Sequence, residues 1–257
     1  MRIVVPIKQV PDLVEELELL PEGTDLDRDL LTFKLNEYDD HAVEEALCLK
    51  EAAGAEVVVV GLDEPEIDQS LYTALAKGAD RAVKLTGDLE GWIDTHRRVA
   101  ALASWLASEP FDLVLVGVQA VDDLDGQVPA LLGARLGVPH VSVVTRVEPS
   151  GDGAALVHQE YSGGLAAELE VRLPAVVGVQ AARQAPRYAS ITRVRQAMQE
   201  GSIEEVAATG ADEAAGLRVR RLFAPEASGH AEMLEGNVGE VAERILELLR
   251  TRGLLKA

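Results

Sequence analysis

Short β-branched runs that alternate with helical segments are the feature of this sequence that most restricts its fold. Four such runs punctuate the first half of the chain, at Ile3–Ile7, Val57–Val60, Arg81–Leu85 and Leu113–Val116. The second run consists of valine alone, as in a strand that is buried on both faces of a parallel sheet. The alternation predicts an α/β fold, a parallel sheet with helices on both faces and right-handed crossovers.

Polar residues and glycines mark the expected ends of the helices between these strands. Asp39 or Asp40 is expected to cap the first helix, Asp63 the second and Asp94 the third, because a carboxylate can accept the free N–H groups of a first turn. Gly78 is expected to end the second helix, since glycine readily adopts the left-handed conformation that terminates helices.

The pattern changes after residue 137. Two stretches, 141–148 and 154–173, alternate between apolar and polar side chains, which predicts antiparallel strands. Residues 174–180 are again apolar and are expected to return to the sheet as a further strand.

We therefore predict two regions. Residues 1–199 form a nucleotide-binding α/β domain with an antiparallel insertion at 140–172. Residues 200–257 form a C-terminal arm that closes with an amphipathic helix from Val238 to Leu249. The low periodicity of 200–234 suits contact with a partner chain better than the closing of a core.

Net charge and composition exclude several classes of function. The formal net charge is −20 at pH 7 and no basic stripe offsets it, which excludes nucleic acid as a partner. Cys48 is the only cysteine, so neither a disulfide framework nor a cysteine metal cluster is expected. No apolar stretch approaches the roughly 18 residues of a membrane helix, and no charged leader precedes the first strand. We therefore expect a cytoplasmic protein without membrane insertion.

Common catalytic motifs are missing from the sequence. It has no GxGxxG after the first strand, no Walker phosphate loop and no GxSxG elbow. The five histidines are scattered without metal-ligand spacing. No acid, base and nucleophile are brought together, so we expect no catalytic residue, no metal site and no enzymatic activity of the chain alone.

Candidate binding residues instead lie at the ends of the predicted strands, where parallel α/β sheets hold their ligands. Pro6 and Lys8 end the first strand, Leu62 follows the second, residues 36–39 lead into the first helix, and the loop 117–128 follows the fourth strand. Each also has a plainer interpretation, as a turn residue, a helix cap or a solvated turn. From these residues alone, a nucleotide site and an ordinary set of turns remain equally open.

Five stretches make the chain resemble the beta subunits of electron-transfer flavoproteins. They keep the order and spacing of that family over about three quarters of the chain. They are "VVPIKQVPD" at 4–12, "LNEYDDHAVEEAL" at 35–47, "TALAKGADRAV" at 73–83, "FDLVLVGVQAVDDLDGQV" at 111–128 and "RLPAVVGVQAARQAPRYASI" at 172–191.

The resemblance implies a fold, a partner and cofactors. The fold would be adenine nucleotide alpha hydrolase-like, a Rossmann-like α/β arrangement. The chain would form a heterodimer with an alpha subunit that holds most of the contacts to a shared FAD, while the beta subunit binds AMP as a structural ligand. Electrons would pass from acyl-CoA dehydrogenase and other flavin dehydrogenases toward a quinone-linked oxidoreductase. A recognition loop at 182–199 would dock the dehydrogenases, with Ile191 as its aliphatic anchor.

The AMP contacts that the resemblance implies come from the strand ends, the start of the first helix and the loop after the fourth strand. They are Pro6, Asn36, Glu37, Tyr38, Asp39, Leu62, Gly117, Val118, Gln119, Ala120, Val121, Asp122, Asp123, Leu124, Asp125, Gly126, Gln127 and Val128.

Three carboxylates in this loop need an explanation if the loop is to hold a phosphate. Main-chain N–H groups at a helix N-terminus can bind an anion, and we expect Gly126 and Gln127 to begin that helix. Asp125 is then expected to cap it. Asp122 or Asp123 would reach ribose hydroxyls or solvent, and all three carboxylates would have to turn away from the phosphate.

Two alternatives remain. A bifurcating form of the family binds a second FAD in place of AMP; Val128 fits that form, whereas Asp123 fits AMP because it leaves less room for a pyrophosphate. A stand-alone adenine-nucleotide sensor of the universal-stress type is the other alternative. The long region 138–257 argues against it, since a minimal sensor needs none of it.

Overall fold

A computed structural model describes residues 1–14, 16–87, 93–123, 125–151, 153–210, 219–224, 231 and 233–255. Its described residues fall into two units, 1–222 and 223–257. The first unit carries the sheet, the candidate site and most of the helices. The second carries the C-terminal helix.

The predicted α/β fold is confirmed. In chain order the strands are β1 (Arg2–Ile7), β2 (Gln9–Pro11), β3 (Phe33–Leu35), β4 (Glu56–Leu62), β5 (Arg81–Thr86), β6 (Leu113–Gly117), β7 (His140–Ser150), β8 (Ala154–Tyr161), β9 (Leu165–Arg172), β10 (Ala175–Val179) and β11 (Ile203–Ala207). The α-helices are α1 (Glu37–Ala53), α2 (Ile67–Lys77), α3 (Thr95–Leu106), α4 (Val128–Leu136), α5 (Ile191–Glu200) and α6 (Val238–Thr251).

Nine of these strands form one sheet in the order β11-β5-β4-β1-β6-β10-β7-β8-β9. The pairs from β11 to β7 are parallel, whereas β7, β8 and β9 pair antiparallel, as the alternation in their sequences predicts. The chain runs outward from β1 through β4 to β5 and then returns to β6 on the other side of β1. The order therefore reverses between β1 and β6, which is where sheets of this kind place their ligands.

Helices cover both faces of the sheet. On one face, buried residues of α1 and α2, such as Leu47 and Leu71, join the same apolar cluster as Ile3 and Val5 of β1. On the other face, Leu102 of α3 and Leu132 of α4 join Val4 and Val114 in a second cluster. Successive side chains of β1 thus enter opposite clusters, as the pleat of a strand requires.

The predicted helix ends are partly right. Asp94 does cap α3, because its carboxylate accepts the N–H of His96 at 2.8 Å, and Gly78 ends α2. The prediction that Asp39 or Asp40 caps α1 is wrong, since α1 already begins at Glu37. The prediction for Asp63 is also wrong, because a turn separates it from α2, which begins at Ile67.

Residues 203–207 differ from the extended arm that their sequence indicates. They form the edge strand β11, parallel to β5. Their weak hydrophobic pattern arises because an edge strand buries little of its surface, and three of the five residues are exposed. Other parts of the predicted arm, 211–218, 225–230, 232 and 256–257, lie outside the described residues.

In the second unit, α6 begins with a capping box in which Asn237 and Glu240 satisfy each other's N–H groups. The helix is amphipathic, as predicted, but none of its residues is buried. Across the described part of the chain, no helix is long and apolar enough to cross a membrane.

Candidate functional site

A cleft opens where the strand order reverses, between the carboxyl ends of β1 and β6. It holds about 340 Å³ of space even when its open mouth is included, which is near the lower end of small-molecule pockets, roughly 300–1,000 Å³. Its lining residues are Pro6, Ile7, Lys8, Asn36, Asp39, Leu62, Arg98, Leu102, Val116, Gly117, Gln119, Ala120, Asp123 and Val128.

Asp39 fastens α1 to the two strand ends. One carboxylate oxygen accepts the main-chain N–H of Lys8 at 2.9 Å, and the other accepts that of Gly117 at 3.0 Å. Burial raises the pKa of Asp39 to about 7, although these two hydrogen bonds and the charge of Lys8 act in the opposite direction. Asp39 is therefore not a cap but the joint between the helix and the sheet at the base of the cleft.

Gly117 is required by this joint. A Cβ atom at this position would overlap Oδ1 of Asp39 and lie 2.9 Å from the Asp39 nitrogen. A larger residue would force α1 away from β6. Glycine at the end of β6 thus allows the start of α1 to approach the sheet closely.

The loop after β6 is tied to the same helix start. The Asn36 side chain donates to the carbonyl oxygen of Gln119 at 3.0 Å, and the Ala120 N–H donates to the Asp123 carboxylate at 2.9 Å. Gly126 has a positive φ of 60°, and a Cβ there would lie 3.0 Å from the Val118 carbonyl oxygen. These contacts fold the loop back over the cleft.

The three carboxylates of the loop have different surroundings. Asp123 lines the cleft, where a carboxylate could reach a ribose hydroxyl, and burial raises its pKa. That the carboxylates turn away from a bound phosphate stays a prediction. Asp125 does not cap α4; the helix begins at Val128, later than expected, and Gln127 precedes it without a side-chain cap. Asp122 forms an ion pair with Lys8.

Two buried cations stand beside the cleft: Lys8, which is one of the strand-end candidates, and Arg98, which the sequence analysis does not assign to the site. The Lys8 ammonium lies 2.6 and 2.7 Å from the two carboxylate oxygens of Asp122. Arg98 of α3 binds Glu64 through two hydrogen bonds of 3.1 and 2.5 Å. Burial lowers the pKa of Lys8, and the neighbouring charge of Arg98 lowers it further. The position of Lys8 directly after β1 indicates from the sequence that it lies near the site. Arg98 lies inside a helix, where its position in the sequence gives no such indication.

The structure brings nine of the predicted contacts together in the cleft lining and places eight others elsewhere. The nine are Pro6, Asn36, Asp39, Leu62, Gly117, Gln119, Ala120, Asp123 and Val128. Those elsewhere are Glu37 and Tyr38 in the first turn of α1, and Val118, Val121, Asp122, Asp125, Gly126 and Gln127 in the loop. Leu124 lies outside the described residues.

Ile191 is the first residue of α5 and is 65% exposed. It borders an open groove between α2 and α5 together with Tyr188, Val194 and Met198. Tyr188 is even more exposed, at 81%. Ile191 therefore does not pack beneath its own helix.

Two buried glutamates hold the segment that leads to this groove. Glu44 and Glu45 of α1 are both 0% exposed. Glu45 binds Arg183, and Glu44 binds Arg187, each through several hydrogen bonds to the guanidinium and one to the main-chain N–H of the same arginine. We call these two pairs the α1 clamps. Sequence reasoning missed them, because charged residues inside a helix usually indicate a solvated face.

No group of three or more His, Cys, Asp or Glu side chains that could hold a metal ion occurs among the described residues. Main-chain groups, amide and carboxyl side chains and the cations of Lys8 and Arg98 surround the cleft.

Comparison with known proteins gives the family. A family model described as "Electron transfer flavoprotein domain" matches residues 26–235. The chain is 35% identical to the electron transfer flavoprotein subunit beta of Methylophilus methylotrophus, over 97% of this chain and 98% of the relative. It is 31% identical to the subunit of the same name from Clostridium acetobutylicum, over 97% and 98%.

A third relative comes from a different kind of complex. It is the caffeyl-CoA reductase-Etf complex subunit CarD of Acetobacterium woodii, 33% identical over 99% of this chain and 100% of the relative. These matches extend through 138–257, the region that a minimal nucleotide sensor does not need. The chain belongs to the family of electron transfer flavoprotein beta subunits.

Proposed function

We propose that the chain is the beta subunit of a heterodimeric electron-transfer flavoprotein, and that its cleft holds one AMP as a structural ligand. The observation that carries the proposal is the cleft itself. It lies where the strand order reverses, and nine of the residues that the family resemblance assigns to AMP border it.

The residues present fit a mononucleotide. Asn36 offers an amide, Gln119 and Ala120 offer main-chain groups, and the start of α4 at Val128 offers free N–H groups to a phosphate. Asp123 suits a ribose hydroxyl, because a carboxylate accepts from hydroxyl donors but repels phosphate. The narrow cleft favours AMP, since a mononucleotide needs less room than a dinucleotide.

An alpha subunit would supply most of the contacts to a shared FAD, and that flavin would carry the electrons. The amphipathic helix α6, which buries none of its residues, supports a partner chain, because its apolar side chains Ile245 and Leu248 stay 43% and 36% exposed. In this arrangement the chain has no bond-making residue of its own.

The electron donors would be acyl-CoA dehydrogenase and other flavin dehydrogenases, and the acceptor a quinone-linked oxidoreductase. The exposed side chains of Tyr188 and Ile191 beside the groove between α2 and α5 support docking at the segment 182–199. Such a docking site on a soluble carrier agrees with a cytoplasmic location.

A bifurcating beta subunit with its own FAD is the second candidate. The 33% identity to a subunit of a caffeyl-CoA reductase-Etf complex favours it, as does valine rather than a hydroxyl residue at position 128. The side chain of Asp123 and the narrow cleft favour AMP instead.

The test is to coexpress the chain with its alpha subunit, denature the purified heterodimer and quantify the released nucleotides by chromatography. One FAD and one AMP per heterodimer supports the proposal. Two FAD without AMP identifies the bifurcating form. One FAD with no other nucleotide rejects a nucleotide role for the cleft.

A further inference from the structure

Lys8 borders two neighbouring spaces. It lines the nucleotide cleft, and it also lines a neighbouring hollow with Thr95, Arg98 and Asp122. Its side chain is only 8% exposed, so water reaches it poorly and it requires an anionic partner. Arg98, at 6% exposed, places a second positive charge beside it.

The two cations have unequal partners. Arg98 is neutralised by Glu64, which follows β4 and binds the guanidinium through two hydrogen bonds. Lys8 is neutralised by Asp122, whose carboxylate comes from the loop 118–127 and remains 26% exposed. Asp122 is the more exposed of the two carboxylates, at 26% against 15% for Glu64, so it is the partner that a ligand anion can replace more easily.

We propose that Lys8 is an anion seat of the nucleotide cleft, and that Asp122 occupies it as an internal substitute for a ligand phosphate. The inference rests on the proposed nucleotide function and adds a competition to it. A phosphate that enters the cleft takes the place of the Asp122 carboxylate on Lys8, and the loop is released from β1 as the ligand is bound.

The geometry suits this exchange. Lys8 and Val128 both border the cleft, so the lysine and the N–H groups at the start of α4 lie on the walls of the same ligand space. A carboxylate and a phosphate both bind an ammonium through charge-assisted hydrogen bonds, but a phosphate carries more charge. Asp122 thereby protects a buried cation while the cleft is without ligand, and it lowers the apparent affinity for phosphorylated ligands only.

Binding of AMP and of adenosine to the nucleotide-free heterodimer tests the exchange by calorimetry. Asp122→Asn removes the competing charge with little change in shape, so the dissociation constant of AMP should fall by about tenfold, the effect of one charge-assisted contact. The dissociation constant of adenosine, which has no phosphate, should stay within about twofold. Asp68→Asn is the matched control, because it removes another carboxylate from a lysine, Lys84, away from the cleft.

Lys8 supplies the complementary test. Lys8→Met should weaken AMP by about tenfold or more without affecting adenosine, and Lys8→Arg should restore most of the loss. If Asp122→Asn tightens AMP and adenosine equally, or leaves both unchanged, the pair only fastens the loop and the proposal is overturned.

Failure of the proposed AMP site gives a different result. The wild-type heterodimer would then bind neither AMP nor adenosine. In that case the binding of inorganic pyrophosphate, measured by phosphorus NMR, tests the anion seat. Binding that strengthens in Asp122→Asn and disappears in Lys8→Met supports the seat. Identical spectra in all variants reject it.

Discussion

Replacement of Arg183 by methionine removes one of the two α1 clamps while keeping an unbranched apolar stem. The carboxylate of Glu45 is 0% exposed and accepts the main-chain N–H of Val147 at 2.7 Å and three hydrogen bonds from the Arg183 guanidinium. In Arg183→Met the main-chain donors remain, but the positive charge that neutralises Glu45 is lost.

The size of the effect follows from burial. Removal of one partner of a buried ion pair typically costs about 3–5 kcal/mol, because the remaining charge stays in a medium of low polarity. The Arg183 side chain is itself 26% exposed, so water can replace part of it. We therefore expect the lower end, about 3 kcal/mol, which corresponds to a fall in Tm of roughly 6–12 °C for a chain of this size.

Thermal unfolding of the heterodimer, followed by circular dichroism, measures this loss. Arg193→Met is the control, since Arg193 lies on α5 in an exposed position, and its Tm should change by less than about 2 °C. The double variant Glu45→Gln with Arg183→Met removes both charges and should recover part of the stability. Two results would show that the pair is not a buried clamp. One is a loss of less than about 1 kcal/mol in the free energy of unfolding of Arg183→Met. The other is a double variant whose loss of stability equals the sum of the losses in the two single variants.

Three further outcomes are expected. Gly117→Ala should destabilise the protein by about 1–3 kcal/mol and weaken nucleotide retention, since the added methyl group overlaps Asp39. Gly151→Ala is the control and should leave stability unchanged, because no atom lies within 4 Å of the added methyl group. Equal Tm values for the two variants would contradict this expectation. The Asp39 carboxyl should titrate near pH 7 when it is followed by carbon NMR. Because this folded-state pKa lies above the ordinary 3.8, the stability that Asp39 contributes is present below pH 4 and is lost as the pH rises through 7. A titration midpoint below pH 5 would reject the assignment. Ile191→Ala should slow electron transfer from a partner dehydrogenase by roughly 10- to 150-fold, which corresponds to the loss of about 1.5–3 kcal/mol of apolar burial. The flavin spectrum and the Tm should not change. A normal rate of electron transfer would exclude Ile191 as an anchor.

The strands and the position of the cleft could be predicted because their signals are local. The valines of β4 and the alternation in β8 and β9 report burial on two faces or one, and parallel strands bring their carboxyl ends to a common edge. Membership of the family could likewise be predicted from five short stretches of sequence.

The contacts inside the site could not be predicted because they join residues far apart in the chain. Lys8 and Asp122 are 114 positions apart, and Arg183 and Glu45 are 138 apart. A helix-start position made Asp39 a plausible cap, but its tertiary partners, the N–H groups of Lys8 and Gly117, determine its role. Local patterns give the places of side chains along an element, and only the packed sheet and helices decide which of them meet.

Among the described residues, the two outer strands of the nine-stranded sheet each have one edge without a neighbouring strand, and such edges can pair with a second copy of the same chain. Both edges carry acidic side chains: Glu204 and Glu205 on β11 are 49% and 63% exposed, and Glu168 on β9 is 65% exposed. A second copy that pairs at either edge would have to bury charged side chains, including the ion pairs of Glu204 with Arg81 and of Glu205 with Lys84. Charged side chains along both edges therefore disfavour the pairing of two copies through the sheet, and leave association to the surfaces where apolar side chains are exposed.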